Sequence, residues 1–205
     1  MYRAVECVPH VVEMWLALAK LETYEKAKEI LNRARKEIPT SHIIWINAVK
    51  LEETQNSDEN VDKIIENLIN RCIKSLAKNG VSLTREQWLN EAEICERSGT
   101  LKTLSAIVKA SMNIDVETSD RKKKWLESTE ASLFRGCIET ARKILEHGLE
   151  ILTTKKALWI KAIEIEKQYG NPKSQERVLS KACQSCPHKQ IFWLIYAKHI
   201  WTNVF

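Results

Sequence analysis

Six tryptophans recur along the chain at a nearly constant interval, and this regularity limits the fold more than any other feature. They stand 30, 43, 37, 34 and 34 residues apart, at Trp15, Trp45, Trp88, Trp125, Trp159 and Trp193. A motif that returns every ~20 to 50 residues is typical of repeat arrays, in which each repeat is covered by its neighbours. The sequence therefore predicts a repeat array.

The residues around each tryptophan predict a helix, a turn and a second helix in each repeat. Leu or Ile follows each of these six tryptophans, and mostly small residues stand one helical turn later on the same face. Residue types that tolerate a left-handed helix end stand eleven positions after four of the tryptophans, at Asn56, Gly99, Gly136 and Gly170. Residues that favour a helix boundary stand six positions before every tryptophan: Pro9, Pro39, Ser82, Ser119, Thr153 and Pro187.

Apolar stripes at helical spacing predict the second helix of each repeat. One stripe runs from Ala27 to Ala34, and another runs from Ala141 to Gly148. The segment from Val61 to Leu76 is longer and more apolar, which accounts for the wide interval before Trp88. With only 5 Gly and 4 Pro in 205 residues and no alternating β-branched run, the chain is predicted to be an all-α, right-handed α-solenoid.

The tryptophan register predicts one array over residues 1–205. Its repeat units fall at 10–39, 40–82, 83–119, 120–153 and 154–187, with partial units at 1–9 and 188–205. The chain begins with the tail of a second helix and ends within a first helix. Because terminal repeats of a complete array carry polar capping faces, we expect the chain to be part of a longer array.

The repeat resembles the half-a-tetratricopeptide (HAT) repeat of RNA-processing proteins. Both have two helices in about 34 residues, a tryptophan in the first helix and a proline after the second. The HAT acidic position is filled by Glu22, Glu52 and Glu166, and its second-helix pair by Ala27-Lys28 and Ala141-Arg142. Cys95, Ser132 and Ile200 depart from the acidic position.

Within that family, three stretches are similar to the array of a structural component of the spliceosomal tri-snRNP. They are MWLALAKLETYEKAKEILNRARKEIPT, IWINAVKLEE and KNGVSLTREQWLNEAEICERSG. The resemblance implies a non-catalytic, nuclear scaffold in pre-mRNA splicing that bridges snRNP components and binds other tri-snRNP proteins. The alternatives are a HAT scaffold for mRNA 3′-end cleavage or ribosome biogenesis, a generic tetratricopeptide adaptor, and a direct RNA-binding module.

The tryptophans are expected to be packing anchors and not platforms for stacking a ligand, because they recur where a solenoid must fill its interior. Cys183 and Cys186 form a C-x-x-C pair, but a structural zinc site needs four ligands and only His188 and His199 are near in sequence. We therefore expect these two cysteines to pack at a helix end, with no metal.

Arg121, Lys122, Lys123 and Lys124 form the densest basic run and are weak candidates for RNA contact. Positive charge at a helix start opposes the helix dipole, which favours a functional role. Asp120, Glu127 and Glu130 offset much of this charge, and the net charge of +5 is modest. Since tight nucleic-acid binding uses about 6 to 10 phosphate contacts, any RNA contact is expected to be peripheral.

The sequence contains no signature of catalysis. It has neither a G-x-x-x-x-G-K phosphate loop nor H-E-x-x-H, so we predict no catalytic residue, cofactor or small-molecule substrate. The opening MYRAVECVPH does not resemble a signal peptide, and no apolar stretch would span a membrane. Six scattered cysteines are expected to be reduced, which favours the cytoplasm or the nucleus.

Overall fold

The computed structural model describes residue 5 and residues 8–55 and 60–204, and this part of the chain forms eleven α-helices without a strand. The helices are α1 Val12–Leu21, α2 Tyr24–Glu37, α3 His42–Gln55, α4 Val61–Lys78, α5 Arg85–Arg97, α6 Leu101–Ser111, α7 Arg121–Phe134, α8 Ile138–Ile151, α9 Lys156–Tyr169, α10 Pro172–Ser185 and α11 Gln190–Val204. The predicted all-α repeat class is confirmed. Asn56 and most of the partial unit 1–9 lie outside the described residues, and the handedness of the superhelix stays a prediction.

The helices form where apolar residues recur at helical spacing. In α4 the buried side chains are Val61, Ile65, Ile69, Cys72 and Leu76, which lie on one face. Full burial of a side chain of this size contributes about 1.5 to 3 kcal/mol, so packing of the stripe determines which face turns inward. None of the described helices is both long and apolar enough to cross a bilayer.

Several helix ends follow the predicted local chemistry. Gly99 and Gly136 both have φ of 78°, the left-handed conformation expected after α5 and α7. Thr84 and Gln87 exchange side-chain and backbone hydrogen bonds in a capping box at the start of α5. Asn171 caps α10, and Pro172 occupies its first turn.

Gly170 corrects one of these predictions. It has φ of −92° and ψ of 179°, which is extended backbone that any residue can adopt, so it does not end α9 in the left-handed conformation. The reason for glycine here is space. A Cβ atom at this position would overlap the carboxylate and the carbonyl oxygen of Glu166 as well as the hydroxyl of Ser174.

The chain divides into two compact units, Met1–Ile114 and Asp115–Phe205. The first contains the hairpins α1/α2, α3/α4 and α5/α6, and α2 also packs against α3. The second contains α7/α8 and α9/α10, with α8 against α9 and α10 against α11. One hairpin thus falls within each of the five full repeat units that the sequence predicts, and their assembly into a single array stays a prediction.

The third hairpin of the first unit is docked in an irregular way. Its second helix, α6, packs along α4 and also contacts α3. Glu53 of α3 accepts hydrogen bonds from the backbone N–H groups of Lys102 at 2.9 Å and Thr103 at 2.8 Å. A carboxylate at a helix N-terminus is favoured by the free N–H groups and the dipole, so Glu53 fixes where α6 begins relative to α3.

Candidate protein-binding groove

Five of the predicted tryptophan anchors are buried. Trp15, Trp45, Trp88, Trp125 and Trp159 lie inside their units. Small residues allow the neighbouring helix to approach, since a Cβ atom on Gly148 of α8 would lie 3.2 Å from the ring of Trp125. Packing in the interior therefore accounts for these five rings.

Trp193 is less buried than the other five anchors, since its side chain is 50% exposed. Its neighbour Phe192 is fully buried in the cluster formed with Trp159 and Cys183. Among the described residues, α11 packs mainly against α10, and its Phe192 also joins the cluster that contains Trp159 of α9. The side of α11 that carries Trp193 is less covered than the sides of the other helices that carry the buried anchors.

The indole N–H groups reveal a role for the residues six positions before the tryptophans. Trp15 donates to the carbonyl of Pro9 at 2.8 Å, Trp159 to Thr153 at 2.7 Å, and Trp193 to Pro187 at 3.0 Å. The constant interval of six was visible in the sequence, but it was interpreted only as a helix boundary. The same residue thus contributes a turn and the hydrogen-bond acceptor for the anchor.

Pro39 also lies in a turn, between α2 and α3, but Trp45 departs from this pattern. Its indole nitrogen is buried without a hydrogen-bond partner. The Arg35 guanidinium lies 4.3 Å from the ring centroid, at the distance of a cation–π contact. Burial, together with the charge of Arg71, lowers the pKa of Arg35.

The HAT acidic and basic positions pair with each other across adjacent hairpins. Lys28 of α2 lies 2.8 Å from the Glu52 carboxylate of α3, and Arg142 of α8 donates to Glu166 of α9 at 2.8 Å. In both pairs the partners are 24 residues apart in sequence. Sequence reasoning found the four residues but not their pairing, for which this equal separation was the available signal.

Glu166 is the centre of a buried polar network in the second unit. Its side chain also accepts a hydrogen bond from Ser174 of α10, so one carboxylate links α8, α9 and α10. Burial alone would lower the pKa of Arg142, but its hydrogen bonds and charge interactions with Glu139 and Glu166 outweigh burial and raise that pKa. The network therefore fixes the separation of α8 and α10 near Glu166.

A groove of about 440 Å³ lies between α8 and α10, with α9 beneath it. Its apolar lining comes from all three helices: Leu145, Leu149, Trp159, Ala162, Ile165 and Val178. Glu146 and Glu150 line the α8 side, whereas Arg177 and Lys181 line the α10 side. An apolar base with polar edges is typical of a recognition groove, and sequence reasoning did not identify it.

Cys183 and Cys186 pack in the cluster that contains Trp159 and Phe192. Burial raises the pKa of the Cys183 thiol, and the Cys186 sulfur lies 3.7 Å from the carbonyl oxygen of Thr153. In the part of the chain that the structure describes, no group of three or more His, Cys, Asp or Glu residues could hold a metal ion. The hydrophobic cluster accounts for the two cysteines.

The basic run begins α7 and does not line the groove. Lys122 and Lys123 are exposed, and Lys124 donates to the carbonyl of Asp115 at 3.0 Å. Arg121 is half-buried, and its Nε atom is buried without a hydrogen-bond partner. The suggested RNA contact of these four residues stays a prediction.

These features define a helical-hairpin repeat protein in which buried tryptophans and ion pairs between hairpins hold the helices together. No protein-family model matches the chain. It is 42% identical to pre-mRNA-splicing factor prp1 of Schizosaccharomyces pombe over 171 residues, which is 83% of this chain. It is 44% identical to pre-mRNA-processing factor 6 of Homo sapiens over 100 residues, which is 49% of this chain. The chain is thus similar, over most of its length, to a segment of the fission-yeast splicing factor.

The matched region is only a small part of those relatives. It spans 18% of the fission-yeast protein and 11% of the human protein. A thermophilic TPR protein of Thermus thermophilus is similar in structure at 16% identity and a TM-score of 0.36, covering 93% of this chain and 97% of that chain.

Proposed function

We propose that the chain is a non-catalytic, protein-binding scaffold of the spliceosomal tri-snRNP that bridges snRNP components during pre-mRNA splicing. Its partners are other tri-snRNP proteins, and it acts in the nucleus. The observation that carries this proposal is the 42% identity to a pre-mRNA-splicing factor over 83% of the chain.

The packing of the chain supports a mechanical role. The buried carboxylates Glu52 and Glu166 are each paired with a cation of the adjacent hairpin. These ion pairs account for the burial of the two carboxylates, so no catalytic role is needed to explain it. Stacked hairpins held in this way keep surface side chains at fixed separations. A partner can then be positioned by many modest contacts along the stack, as is typical of repeat proteins.

The test is affinity purification of the tagged chain from nuclear extract, followed by sequencing of the bound RNA and mass spectrometry of the bound proteins. We expect enrichment of the small nuclear RNAs and proteins of the tri-snRNP. A matched control is the Trp125→Ala/Trp159→Ala variant, in which the anchors of the second unit are removed. Enrichment of cleavage factors or ribosomal precursors in place of snRNPs would favour the other HAT scaffolds and contradict the proposal.

A further inference from the structure

We propose that the groove between α8 and α10 receives one amphipathic α-helix of a partner protein. The helix carries an apolar stripe with acidic side chains along the flank that faces α10 and basic side chains along the flank that faces α8. This inference rests on the proposed function as a protein-binding scaffold, and it specifies the chemistry of one partner segment.

The shape of the groove fits a helix laid between two helices. Its walls, α8 and α10, are the second helices of consecutive hairpins, and α9 packs against each of them. The volume of about 440 Å³ has room for several side chains of one helix face. Helix-in-groove recognition uses this arrangement, with anchors at positions i, i+3, i+4 and i+7 of the bound helix.

The base of the groove offers apolar surface to such anchors. Leu145 and Ile165 are buried, whereas Leu149 and Val178 are only partly buried at the edges of the core clusters. Covering Leu149 and Val178 would remove more apolar surface from water, which favours association.

The two walls differ in charge, because α10 contributes only the cations Arg177 and Lys181, whereas the charged residues of α8 are Glu139, Arg142, Lys143, Glu146 and Glu150. Arg177 and Lys181 stand one turn apart on α10, are exposed, and form no ion pair within the described residues. Glu146 and Glu150 stand one turn apart on α8 and are also exposed. Glu146 forms an ion pair with Lys143, and Glu150 lies 3.7 Å from His147, both within the same helix. Exposed pairs within a helix contribute little, so all four charges are available to a partner.

This charge pattern favours a helix of mixed charge over other occupants. A nucleic acid would be attracted by Arg177 and Lys181 but repelled by Glu146 and Glu150. An extended peptide would need backbone hydrogen bonds that the helical walls do not offer, because their own N–H and C=O groups are paired within the helices. A helix with opposite charges on its two flanks satisfies both walls at once, and the charges fix its direction.

The experiment uses two designed 18-residue helical peptides with the same leucine stripe. The mixed peptide has glutamates on one flank and lysines on the other, and the basic peptide has lysines on both. We compare their binding to the wild-type chain and to the Arg177→Glu/Lys181→Glu variant by fluorescence anisotropy. The wild-type chain should bind the mixed peptide about tenfold more tightly, and the variant, whose walls are both acidic, should prefer the basic peptide.

The Lys173→Glu/Lys189→Glu variant is the control, since it makes the same change in net charge at exposed lysines that do not line the groove. It should keep the preference for the mixed peptide, and circular dichroism verifies that both variants are folded.

The inference is overturned if the wild-type chain binds neither peptide, or if the groove variant keeps the wild-type preference. It is also overturned if sedimentation detects a dimer that the groove variant abolishes, because the occupant is then a second copy.

Failure of the groove and failure of the scaffold function give different results. If the chain enriches tri-snRNP components but the peptide preference does not invert, the groove inference is wrong and the scaffold function stands. If the preference inverts but no tri-snRNP component is enriched, the groove binds a helix in some other assembly.

Discussion

Glycine is required at position 170 because the Glu166 carboxylate occupies the space that a side chain would need. We expect Gly170→Ala to lower the free energy of unfolding by about 1 to 3 kcal/mol, because the added methyl group overlaps Glu166 and Ser174. Urea unfolding measures this loss. In Gly136→Ala the methyl group enters open space, and the cost of about 1 kcal/mol comes from the left-handed backbone. A Gly170→Ala protein as stable as the wild type would contradict the proposed overlap.

Cys72 is fully buried on α4, and burial raises the pKa of its thiol to about 12 from an ordinary value of 9.0. The folded state therefore holds this proton more tightly than the unfolded state. The stability that results is fully present below the unfolded pKa and decreases as the pH rises through the folded value. The unfolding midpoint in urea should fall between about pH 9 and pH 12, and it should fall less steeply in Cys72→Ala.

The native Cys72 thiol should also resist alkylation near neutral pH, because the reactive form is the thiolate. Iodoacetamide labelling followed by mass spectrometry checks this, with the urea-unfolded chain as the reference. Rapid labelling of Cys72 in the folded chain would show that the site is open to solvent.

Pairs of helices are connected by the carboxylates of Glu52 and Glu166. We expect a double-mutant cycle on Arg142 and Glu166, using Arg142→Met and Glu166→Gln, to give a coupling free energy of about 1 to 3 kcal/mol, because Glu166 is buried. The exposed pair Lys143 and Glu146 on the same helix is the matched control and should couple by about 0.5 kcal/mol or less. Equal coupling in the two cycles would mean that the buried pair does not join the hairpins.

The contribution of each tryptophan anchor to the free energy of unfolding should depend on how deeply its ring is buried. Trp159→Ala should cost about 3 to 5 kcal/mol, since the ring is buried. Trp193→Ala should cost much less, because half of that side chain is already exposed. Chemical unfolding of the two variants compares these costs, and equal shifts of the midpoint would disprove the dependence on coverage.

The helices could be predicted because their signals are local. The apolar stripe from Val61 to Leu76, the capping box at Thr84 and the cap at Asn171 each depend on residues within a few turns. The groove could not be predicted in this way. Arg177 and Lys181 look in sequence like any solvated helix face, and their importance comes from the acidic wall that folding places across α9.

The left-handed conformation expected for Gly170 was wrong, and Trp193 is less buried than the other anchors, for physical causes of the same kind. Gly170 was interpreted from its position after a helix, whereas its role depends on a carboxylate that reaches back over it. Trp193 was interpreted from the repeat, whereas its exposure depends on which helices are there to cover it. Local patterns identified both residues, but tertiary neighbours decided what each one does.

At the scale of the whole molecule, stability is expected to vary along the chain. In repeat proteins each element is stabilised by its immediate neighbours, and α11 packs mainly against α10 and has several large apolar side chains exposed, among them Trp193, Leu194 and Trp201. Native-state hydrogen exchange should therefore show the fastest opening in α11 and slower exchange in α8, which packs against α7 and α9. Uniform protection of α8 and α11 would contradict nearest-neighbour stabilisation.

The equal separation of the ion-paired residues restricts how this chain can change in length. Lys28 and Glu52, like Arg142 and Glu166, are 24 positions apart, so an inserted residue between either pair would draw the carboxylate away from its cation. Neither pair spans the connection between α3 and α4, where the tryptophan interval reaches 43 residues. Among relatives, the α2–α3 and α8–α9 joints should therefore keep a constant number of residues, while insertions and deletions collect outside the segments 28–52 and 142–166.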